Sequence, residues 1–479
     1  MAATSKPDTG GGKGVRVDKI AKMLIGVENL VVQGVTYDEE QGCIVISARP
    51  TLPHARECGK CGRKAPFYDA GRGRRRWRCM DLGGIRCFVE SEADRVACPE
   101  CGVTVRKFPW AAHGSCFTYA FEDTCCWHAL NMSKSACAKL MRVEWRTVGD
   151  ICARVLARLE SGRPPRCEGL IRIGIDETSS KKGHKYLTVV VNHDTGAVVW
   201  CAAGHGRQVA DAFFSGLTPE QRAGIELVSA DGARWIADAM AHWVPQAKRC
   251  VDPFHVVGWA TEALDEVRKQ AWREAKAQVK AQCRAGAEVK AKARSGSRSR
   301  AKGLAQRGRG RPKADEEAHA EKQAQAARAV KGLRYPLLKN PESLTPRQAA
   351  ALELAAISNP RLYRAYLLKE ELRLALKLPA EQLREAVAVW SGKAWRSRIP
   401  EFVELQRKIR RHMEAIVATA ENGLTNARVE AINNKIKLTV KMAYGFRNVN
   451  SLMAMVMLRC SGLSIELPGR AKKEERKAA

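Results

Sequence analysis

The core of this chain is built on residues 170–199, LIRIGIDETSSKKGHKYLTVVVNHDTGAVV. Leu170–Ile175 alternates apolar residues with basic or small ones, which predicts a strand that ends at the carboxylate Asp176. A polar loop leads to a second, β-branched strand, Tyr186–Val191, and a tight turn leads to a third, Ala197–Ala202. Because such short connections cannot contain a crossover helix, the three strands are predicted to form an antiparallel meander.

The pattern after the meander alternates helix and strand. The apolar spacing predicts, in order, helix Arg207–Leu217, strand Ile225–Ala230, helix Arg234–Trp243 and strand Ala247–Val251. Three antiparallel strands followed by helix, strand, helix and strand is the order of a ribonuclease-H-like fold. In that fold the first and fourth strands are neighbours, so Asp176 and Asp231, which follow them, are predicted to lie side by side.

Two neighbouring carboxylates without basic partners repel each other, so this pair is costly unless a cation lies between them. Hard oxygen ligands at such a spacing suit Mg²⁺. The alternative is that each aspartate is only a turn former at the end of its strand. Two aspartates at the ends of the two predicted central strands favour the metal site.

The composition points to a folded protein that binds a polyanion. A length of 479 residues allows two to four domains, and 45% hydrophobic residues exclude disorder of the whole chain. The net charge is +31, from 82 Lys and Arg against 51 Asp and Glu, and the pI is about 9.8. Nucleic acid is therefore the expected partner.

The sequence gives no sign of a membrane or secreted protein. No apolar run approaches the length of a membrane span, and the start, Met-Ala-Ala-Thr-Ser-Lys-Pro, lacks the apolar region of a signal peptide. We therefore expect a cytoplasmic protein. In that compartment its 17 cysteines indicate thiols and a metal site rather than disulfides.

The N-terminal part predicts a zinc centre. Residues 1–15 are rich in Gly, Lys and Ser and are expected to be disordered, and a hairpin of Leu30–Tyr37 and Cys43–Ala48 follows. Next come two CxxC pairs, and each can direct two thiolates to one tetrahedral ion. They predict one structural Zn²⁺ bound by Cys58, Cys61, Cys98 and Cys101, where one ligand could instead be Cys79, Cys87 or His54.

Two further segments predict contacts with DNA. Between the CxxC pairs, Trp77 is surrounded by Arg72, Arg74, Arg75, Arg76 and Arg78, although these arginines could also be ordinary solvated charges. After them, helices are predicted at Phe117–Leu130, from the N-cap Ser133 to Leu140, and from Glu144 to Leu159. These suggest a helix-turn-helix whose last helix brings Trp145, Arg146 and Thr147 into the major groove, although any compact three-helix spacer would look alike.

A long helical region follows Val251. Within it, Lys276–Lys313 contains thirteen basic residues and a single acid, which favours a mobile arm that binds phosphates. Arg309-Gly310-Arg311-Pro312 resembles an AT-hook, which places arginines in a narrow minor groove. Asn359–Arg411 is amphipathic, with Trp390 and Trp395 as expected core anchors.

The last informative segment is a predicted helix, Glu421–Lys441. Its polar residues recur at helical spacing on one face: Asn422, Asn426, Glu430, Asn433 and Lys437. The opposite face is apolar, with Leu424, Ala431, Ile432, Ile436 and Leu438. The helix should therefore pack on the rest of the fold while it directs Glu430 inward or along an edge.

Several longer motifs accompany these signals: Arg76-Trp77-Arg78-Cys79, Asp81-Leu82-Gly83, Phe108-Pro109-Trp110-Ala111, Gly174-Ile175-Asp176-Glu177, Gly183-His184-Lys185-Tyr186-Leu187-Thr188, Asp252-Pro253-Phe254-His255-Val256, Arg334-Tyr335-Pro336-Leu337-Leu338-Lys339-Asn340-Pro341 and Asn426-Ala427-Arg428-Val429-Glu430-Ala431-Ile432-Asn433-Asn434. With the CxxC pairs and the helix-turn-helix, they resemble the DDE transposases of bacterial insertion sequences, in the class called insertion sequence L-three. The resemblance covers most of the chain and leaves out the basic segment around residues 284–330.

The resemblance implies that Asp176, Asp231 and Glu430 are catalytic acids that bind two Mg²⁺ or Mn²⁺ ions. Asp252 is the alternative second acid, and we prefer Asp231 because it ends the strand next to the first one. Two metal ions would support in-line displacement at a phosphodiester, without a covalent protein intermediate. The residues expected to contact DNA are Arg76, Arg146, Lys182, His184, His255, Arg309, Arg311, Asn426 and Lys437.

The expected function is a DNA transposase that binds the terminal inverted repeats of its element, cuts DNA and joins it to a target, as a homo-oligomer in the synaptic complex. One alternative is a catalytically inactive DNA-binding regulator derived from a transposase, and another is a nuclease of the same fold that cuts without joining. The retained acids argue against the regulator, and the N-terminal DNA-reading modules argue against the simple nuclease.

The expected fold is multidomain α+β, with a zinc finger and a helix-turn-helix before a ribonuclease-H-like core that a large helical insertion interrupts. The predicted segments are a disordered tail (1–15), hairpin and zinc finger (16–112), helix-turn-helix (113–160), core (168–256), insertion (257–418) with its basic arm (276–313), closing helix (419–463) and a basic disordered tail (464–479).

Overall fold

The computed structural model describes residues 17–181, 183, 185–298 and 330–468. Both predicted tails fall wholly or mostly outside these residues, as do Lys182, His184, Arg309 and Arg311 and the second half of the basic arm.

The N-terminal module combines one helix with two small sheets. Helix α1 is Val17–Ile25, and the strands are β1 (Leu30–Asp38), β2 (Cys43–Pro50), β3 (Phe67–Asp69), β4 (Arg74–Leu82), β5 (Ile85–Glu92), β6 (Arg95–Cys98) and β7 (Gly102–Val105). One sheet has the order β1-β2-β5-β4 and the other β3-β6-β7. The predicted hairpin is confirmed as β1 and β2. Trp77, Phe108 and Trp110 fill the core of the larger sheet, with the rings of Trp77 and Phe108 4.4 Å apart.

Three helices follow, as predicted: α2 (Tyr119–Asn131), α3 (Lys134–Met141) and α4 (Trp145–Ser161). The Ser133 hydroxyl accepts the Ala136 N–H at 3.2 Å and so caps α3. Arg142 then adopts a left-handed conformation (φ 53°), which ends α3 and turns the chain into α4.

The central sheet contains β8 (Arg172–Lys181), β9 (Lys185–Asn192), β10 (Ala197–Ala203), β11 (Leu227–Ala230) and β12 (Lys248–Cys250), with helices α5 (Arg207–Ser215), α6 (Pro219–Ala223) and α7 (Arg234–Trp243) between strands. Its order is β10-β9-β8-β11-β12. The first three strands are antiparallel, while β11 is parallel to β8 and β12 to β11. The predicted meander and the pairing of the first and fourth strands are therefore confirmed.

One boundary in this sheet was predicted wrongly. The first strand does not end at Asp176 but continues to Lys181, because β9 pairs with it as far as Lys185. The polar residues after Asp176 looked like a loop in the sequence. Hydrogen bonds to β9 nevertheless satisfy their backbone, so Asp176 lies within β8 at the point where the neighbouring β11 ends.

Helices form the region after β12: α8 (Pro253–Arg298), α9 (Arg334–Leu338), α10 (Pro346–Ser358), α11 (Pro360–Ala375), α12 (Ala380–Arg396), α13 (Pro400–Arg411) and α14 (Met413–Asn422). Helix α8 extends into the first part of the basic arm. Trp390 is a core residue whose indole N–H donates to the Leu368 carbonyl at 2.8 Å. Trp395, in contrast, is not a core residue, since it is 64% exposed. It follows Trp390 by five residues, which places it about 140° away around the helix axis.

The last two helices are α15 (Ala427–Met442) and α16 (Val449–Cys460). The single helix predicted over Glu421–Lys441 is wrong, since Gly423 takes a left-handed conformation (φ 60°) that ends α14. Ile432 and Ile436 of α15 pack with Val189 of β9, whereas Leu438, predicted on the apolar face, is exposed.

The two faces of the central sheet carry different partners. Ile173 and Ile175 of β8 join the core formed with α5 and α7. Gly174 and Asp176, which alternate with them, therefore face α15 on the opposite side. Among the described helices, none combines the length and apolar character that crossing a membrane requires.

Candidate active site

Asp176 and Asp231 occupy equivalent places on adjacent parallel strands. Ile175 of β8 pairs with Ala230 of β11, and each aspartate is the next residue of its strand. Burial raises the pKa of Asp176 above its usual value, and the negative charge of Asp231 adds to this rise, while the Glu177 N–H, His255 and Asn433 oppose it. The two carboxylates are therefore close enough to repel each other.

Each aspartate is also held by a specific hydrogen bond. One oxygen of Asp176 accepts the Glu177 N–H at 2.8 Å, and the other accepts the side-chain amide N–H of Asn433 at 2.7 Å. Asp231 accepts the Ala233 N–H at 2.9 Å. Because Asn433 belongs to α15, its bond to Asp176 fixes this helix against the face of β8 that carries Asp176.

Glu430 lies on α15 about one turn before Asn433, and its side chain is exposed. Among the described residues, a single group of three or more His, Cys, Asp or Glu side chains has ligand atoms that all lie within 4.8 Å of one another. That group contains none of the three acids. Asp176 and Asp231 therefore lie on neighbouring strands, and Glu430 lies on α15, which packs against β8. The three carboxylates do not form one cluster.

Asp252 is placed differently from Asp231. It follows the outer strand β12 and is buried, and one of its oxygens accepts the Phe254 N–H at 2.7 Å. Its other oxygen accepts the Asn426 N–H, just before α15 begins. Close by, His255 Nε2 lies 3.3 Å from the Asn426 side-chain nitrogen. Both oxygens of Asp252 are therefore used to join the start of α8 to the start of α15.

Three other oxygens around the acids are buried and have no hydrogen-bond partner among the described residues: Glu177 Oε1, Asn426 Oδ1 and Asn433 Oδ1. Sequence reasoning did not single out Glu177. Burial raises its pKa, and the charge of Asp231 raises it further, so it belongs to the same acidic region. The one available signal was its position directly after Asp176.

Contacts on the face of β8 hold α15 closely. A Cβ added at Gly174 would lie 2.5 Å from Val429 Cγ2 and 2.7 Å from His193 Nε2, so only glycine allows the helix to approach this near. Arg428 of α15 donates to the His193 carbonyl, and His193 Nε2 lies 2.7 Å from the Ser229 hydroxyl. The helix that carries Glu430 is thus anchored at Asn426, Arg428 and Asn433.

The second candidate site is the four-cysteine centre. The Sγ atoms of Cys58, Cys61, Cys98 and Cys101 all lie within 4.8 Å of one another, with Cys61 and Cys98 3.6 Å apart. Backbone N–H groups of Cys101 and Glu100 lower the pKa of Cys98 to about 7, while Cys61 raises that of Cys101 to about 12. Close together and without a metal ion, the four thiols therefore do not all lose their protons easily. A bound cation would stabilise them as thiolates, which is the form that binds zinc.

The three alternative zinc ligands lie elsewhere. Cys79 and Cys87 are buried in the core of the larger N-terminal sheet. His54 is engaged by Glu57, with 2.6 Å between Nδ1 and Oε1. The structure therefore brings together the four cysteines of the CxxC pairs, a group that could hold a metal ion, and none of the three alternatives.

The described residues expected to contact DNA differ in how exposed they are and in whether they already form ion pairs. Arg146 is exposed in the first turn of α4, and Lys437 is exposed on α15. Arg76 is exposed as well, but its guanidinium lies 2.9 Å from Glu90 and 3.3 Å from Asp38. Those two carboxylates already offset the charge of Arg76, which fits the alternative of an ordinary surface charge.

Three family models match the chain along its length. A zinc-finger of the transposases of IS204, IS1001, IS1096 and IS1165 matches residues 54–101, and a helix-turn-helix domain of transposase family ISL3 matches residues 106–156. A DDE model of the same family, described as transposase, matches residues 173–456.

Whole-chain relatives agree with these matches. The transposase for insertion sequence element IS1557 of Mycobacterium tuberculosis, in strains CDC 1551 and H37Rv, is 45% identical over 457 residues, which covers 94% of this chain and 97% of the relative. The transposase for insertion sequence element IS1001 of Bordetella parapertussis is 26% identical over 436 residues, covering 90% and 95%.

Proposed function

Because this chain belongs to transposase family ISL3 and is a DNA transposase, we propose that Asp176, Asp231 and Glu430 form its DDE triad. The observation that supports this most is the pairing of β8 with β11, which puts Asp176 and Asp231 at matching positions on one edge. The bond from Asn433 to Asp176 adds support, since it holds the helix of Glu430 against the same face. Single substitutions of the acids, assayed by cleavage of DNA from the gene's flanks, test the assignment.

The choice of Asp231 over Asp252 rests on what each carboxylate already binds. Asp231 accepts one backbone N–H and leaves its other oxygen for a cation, whereas both oxygens of Asp252 accept backbone N–H groups. We infer that Asp252 is a positioning residue that joins α8 to α15.

Glu430 is exposed on α15, so we propose that its side chain turns toward the aspartates when DNA is bound. A glutamate has enough rotatable bonds to do this while α15 stays in place. The anchors at Asn426 and Asn433, on either side of Glu430, keep its backbone fixed during that movement.

We also propose that the five-stranded sheet is ribonuclease-H-like and that the helices between β12 and α15 are an insertion in it. The sheet order, with a meander next to two parallel strands, supports this fold. The corresponding domains are 16–112, 113–160, the core parts 168–256 and 419–463, and the insertion 257–418.

The acidic region has the donors that a hard divalent cation needs, so we propose that it binds two Mg²⁺ or Mn²⁺ ions. Its donors are carboxylate and amide oxygens, and Glu177 Oε1 and Asn433 Oδ1 are buried without a described hydrogen-bond partner. When bound, such ions would activate a hydroxyl for in-line attack on a phosphodiester and stabilise the leaving oxygen. The protein contributes the two fixed aspartates, and Asn433 orients Asp176 for its role.

For the DNA partners, we propose that the zinc finger and helix-turn-helix bind the terminal inverted repeats and that subunits assemble around two ends and a target. The exposed Arg146 on α4 supports base reading by that helix. The net charge of +31 supports extensive phosphate contacts elsewhere, including the arm 276–313 with Arg309 and Arg311.

Base contacts and phosphate contacts should respond differently to salt. Glutamine in place of the basic residues of the arm 276–313 is expected to weaken binding to every duplex and to flatten the dependence of log K on log salt, because several counterion-releasing contacts are lost. Arg146→Ala should instead cost about 1–3 kcal/mol of preference for the element's ends at every salt concentration. Competition binding with end and scrambled duplexes at two ionic strengths measures both. An arm variant that changes specificity but not the salt slope would mean that the arm reads sequence.

A further inference from the structure

An open cleft of about 710 Å³ lies where the helix-turn-helix meets the catalytic sheet. Its walls come from the first turn of α4, the far end of β8 and the loop after α15. Among its lining residues are Trp145, Lys181, Tyr444, Phe446 and Arg447. Neither the triad nor the zinc centre uses any of them.

Tyr444 is the most unusual residue of this cleft. It is 91% exposed and adopts a left-handed backbone conformation, with φ 53°. That conformation is uncommon for a bulky side chain, and glycine usually takes it at the end of a helix. The exposed ring gains nothing from burial, so neither packing nor local backbone preference accounts for a tyrosine here. Strained positions of this kind occur at sites that bind ligands.

The loop that carries Tyr444 is itself well held. The Gly445 N–H donates to the Val440 carbonyl at 2.9 Å, and the Tyr444 N–H donates to the Lys441 carbonyl at 3.1 Å. Phe446 then packs into the apolar core that α4 shares with α16. The tyrosine ring is therefore presented to solvent by a fixed turn rather than by a loose loop.

The rest of the cleft combines an aromatic wall with a basic rim. Trp145 is partly exposed, and the Lys134 ammonium lies 3.5 Å from its ring centroid, which fixes the indole at the first turn of α4. Lys181 and Arg447 are both exposed at the edges. Aromatic faces next to cations are the combination that binds unpaired nucleotides, because each base offers a π-face and each linkage a phosphate.

The location of the cleft fits a path for DNA. Lys181 is five residues beyond Asp176 on β8, which corresponds to about 17 Å along the strand. On its other side the cleft borders the first turn of α4, where Arg146 is exposed. A duplex that runs from α4 to the acids would cross this cleft, and the separation of Lys181 and Asp176 corresponds to about five nucleotides at 3.4 Å per nucleotide.

We propose that this cleft holds an unstacked nucleotide of the terminal DNA, with its base against Tyr444 and Trp145 and its phosphate at Lys181 and Arg447. The inference deepens the proposed function, because the path rests on the acids at Asp176 and Asp231. An apolar protein segment is the less fitting occupant, since the rim is cationic. By holding one base out of the stack, the cleft would bend the end and set the register of the scissile phosphate.

The test uses the full-length protein and end duplexes that carry 2-aminopurine at successive positions within ten nucleotides of the cut. In wild type and in Tyr444→Phe, which keeps the ring, fluorescence should rise at one position near the fifth nucleotide. Tyr444→Ala should lose that rise and cleave about 5- to 150-fold more slowly, the loss expected for one stacked base. Tyr335→Ala is the matched control, because Tyr335 is also exposed (66%) but lies on α9.

A substrate with an abasic site opposite the fluorescent position should restore cleavage by Tyr444→Ala, because the base then leaves the stack at little cost. The proposal is wrong if no position brightens, if Tyr444→Ala behaves like Tyr335→Ala, or if the abasic substrate gives no rescue. Asp176→Asn separates this proposal from the triad: it should keep the fluorescence rise and lose cleavage. A rise with undiminished cleavage in that variant would overturn the triad and leave the cleft proposal standing.

Discussion

Asp176→Asn, Asp231→Asn and Glu430→Gln are each expected to lower strand cleavage by about 10³-fold or more, while binding to the element's ends stays nearly unchanged. Each change keeps the shape of the side chain and removes the negative charge that holds a divalent cation at the scissile phosphate. Cleavage of a labelled fragment from the gene's flank and a gel-shift titration of the same fragment measure the two properties. Full cleavage by any one variant would remove that residue from the triad.

Asp252→Asn is the matched control for these substitutions. Both oxygens of Asp252 accept backbone N–H groups, so the amide nitrogen of an asparagine would face a donor. We expect a loss of about 1–3 kcal/mol in the free energy of unfolding, with cleavage retained below the melting temperature. If Asp252→Asn were inactive and Asp231→Asn cut normally, Asp252 would be the second acid.

Removal of zinc is expected to unfold the module of residues 50–105, because structural zinc contributes on the order of 10 kcal/mol to such small domains. The sheet β3-β6-β7 is short, and the core beside the cysteines is small, with Ala65 and Val96 as its other buried members. Freshly purified protein should contain one zinc per chain. Chelation, or Cys98→Ser, should change the circular dichroism and abolish specific binding to the ends.

Cys116→Ser provides the control for the zinc experiment. Cys116 is exposed and lies outside the four-cysteine group. Its substitution should leave the zinc content and the spectrum unchanged. Less than one zinc per chain in the wild type, together with an unchanged spectrum after chelation, would contradict the account of this centre.

The parts of the fold that depend on local signals could be predicted from the sequence. The alternation in Leu170–Ile175 and the turn at His193–Gly196 predicted the meander, and the CxxC spacing predicted the clustering of the four cysteines. The N-cap Ser133 likewise placed the start of α3 correctly. In each case residues close together in the chain determine the structure.

The parts that depend on distant residues were missed. The end of β8 could not be placed because pairing with β9, rather than the polar composition after Asp176, determines its length. The break at Gly423 was overlooked because polar residues continue the helical spacing across it. Trp395 was also misplaced, although here the signal was local, since its five-residue spacing from Trp390 puts it on another face of α12.

The polar face of α15 was recognised, but its main partner was not. Asn433 is buried and binds Asp176 across 257 residues of sequence, a contact that no local pattern encodes. Glu177 was overlooked because the polar residues after Asp176 were predicted to form a loop, whereas they continue β8. One of its carboxylate oxygens is buried, and the charge of Asp231 contributes to raising its pKa, so the side chain after Asp176 also lies near the aspartates.

A change of metal specificity tests the central assignment most directly. Cysteine in place of Asp176 or Asp231 offers a soft sulfur ligand that binds Mg²⁺ poorly and Mn²⁺ better. We predict that Asp176→Cys and Asp231→Cys are inactive in Mg²⁺ and recover cleavage when Mn²⁺ replaces it, whereas the activity of Asp252→Cys does not depend on which ion is supplied. Recovery in Mn²⁺ by Asp252→Cys but not by Asp231→Cys would contradict the account and move the second metal ligand to the end of β12.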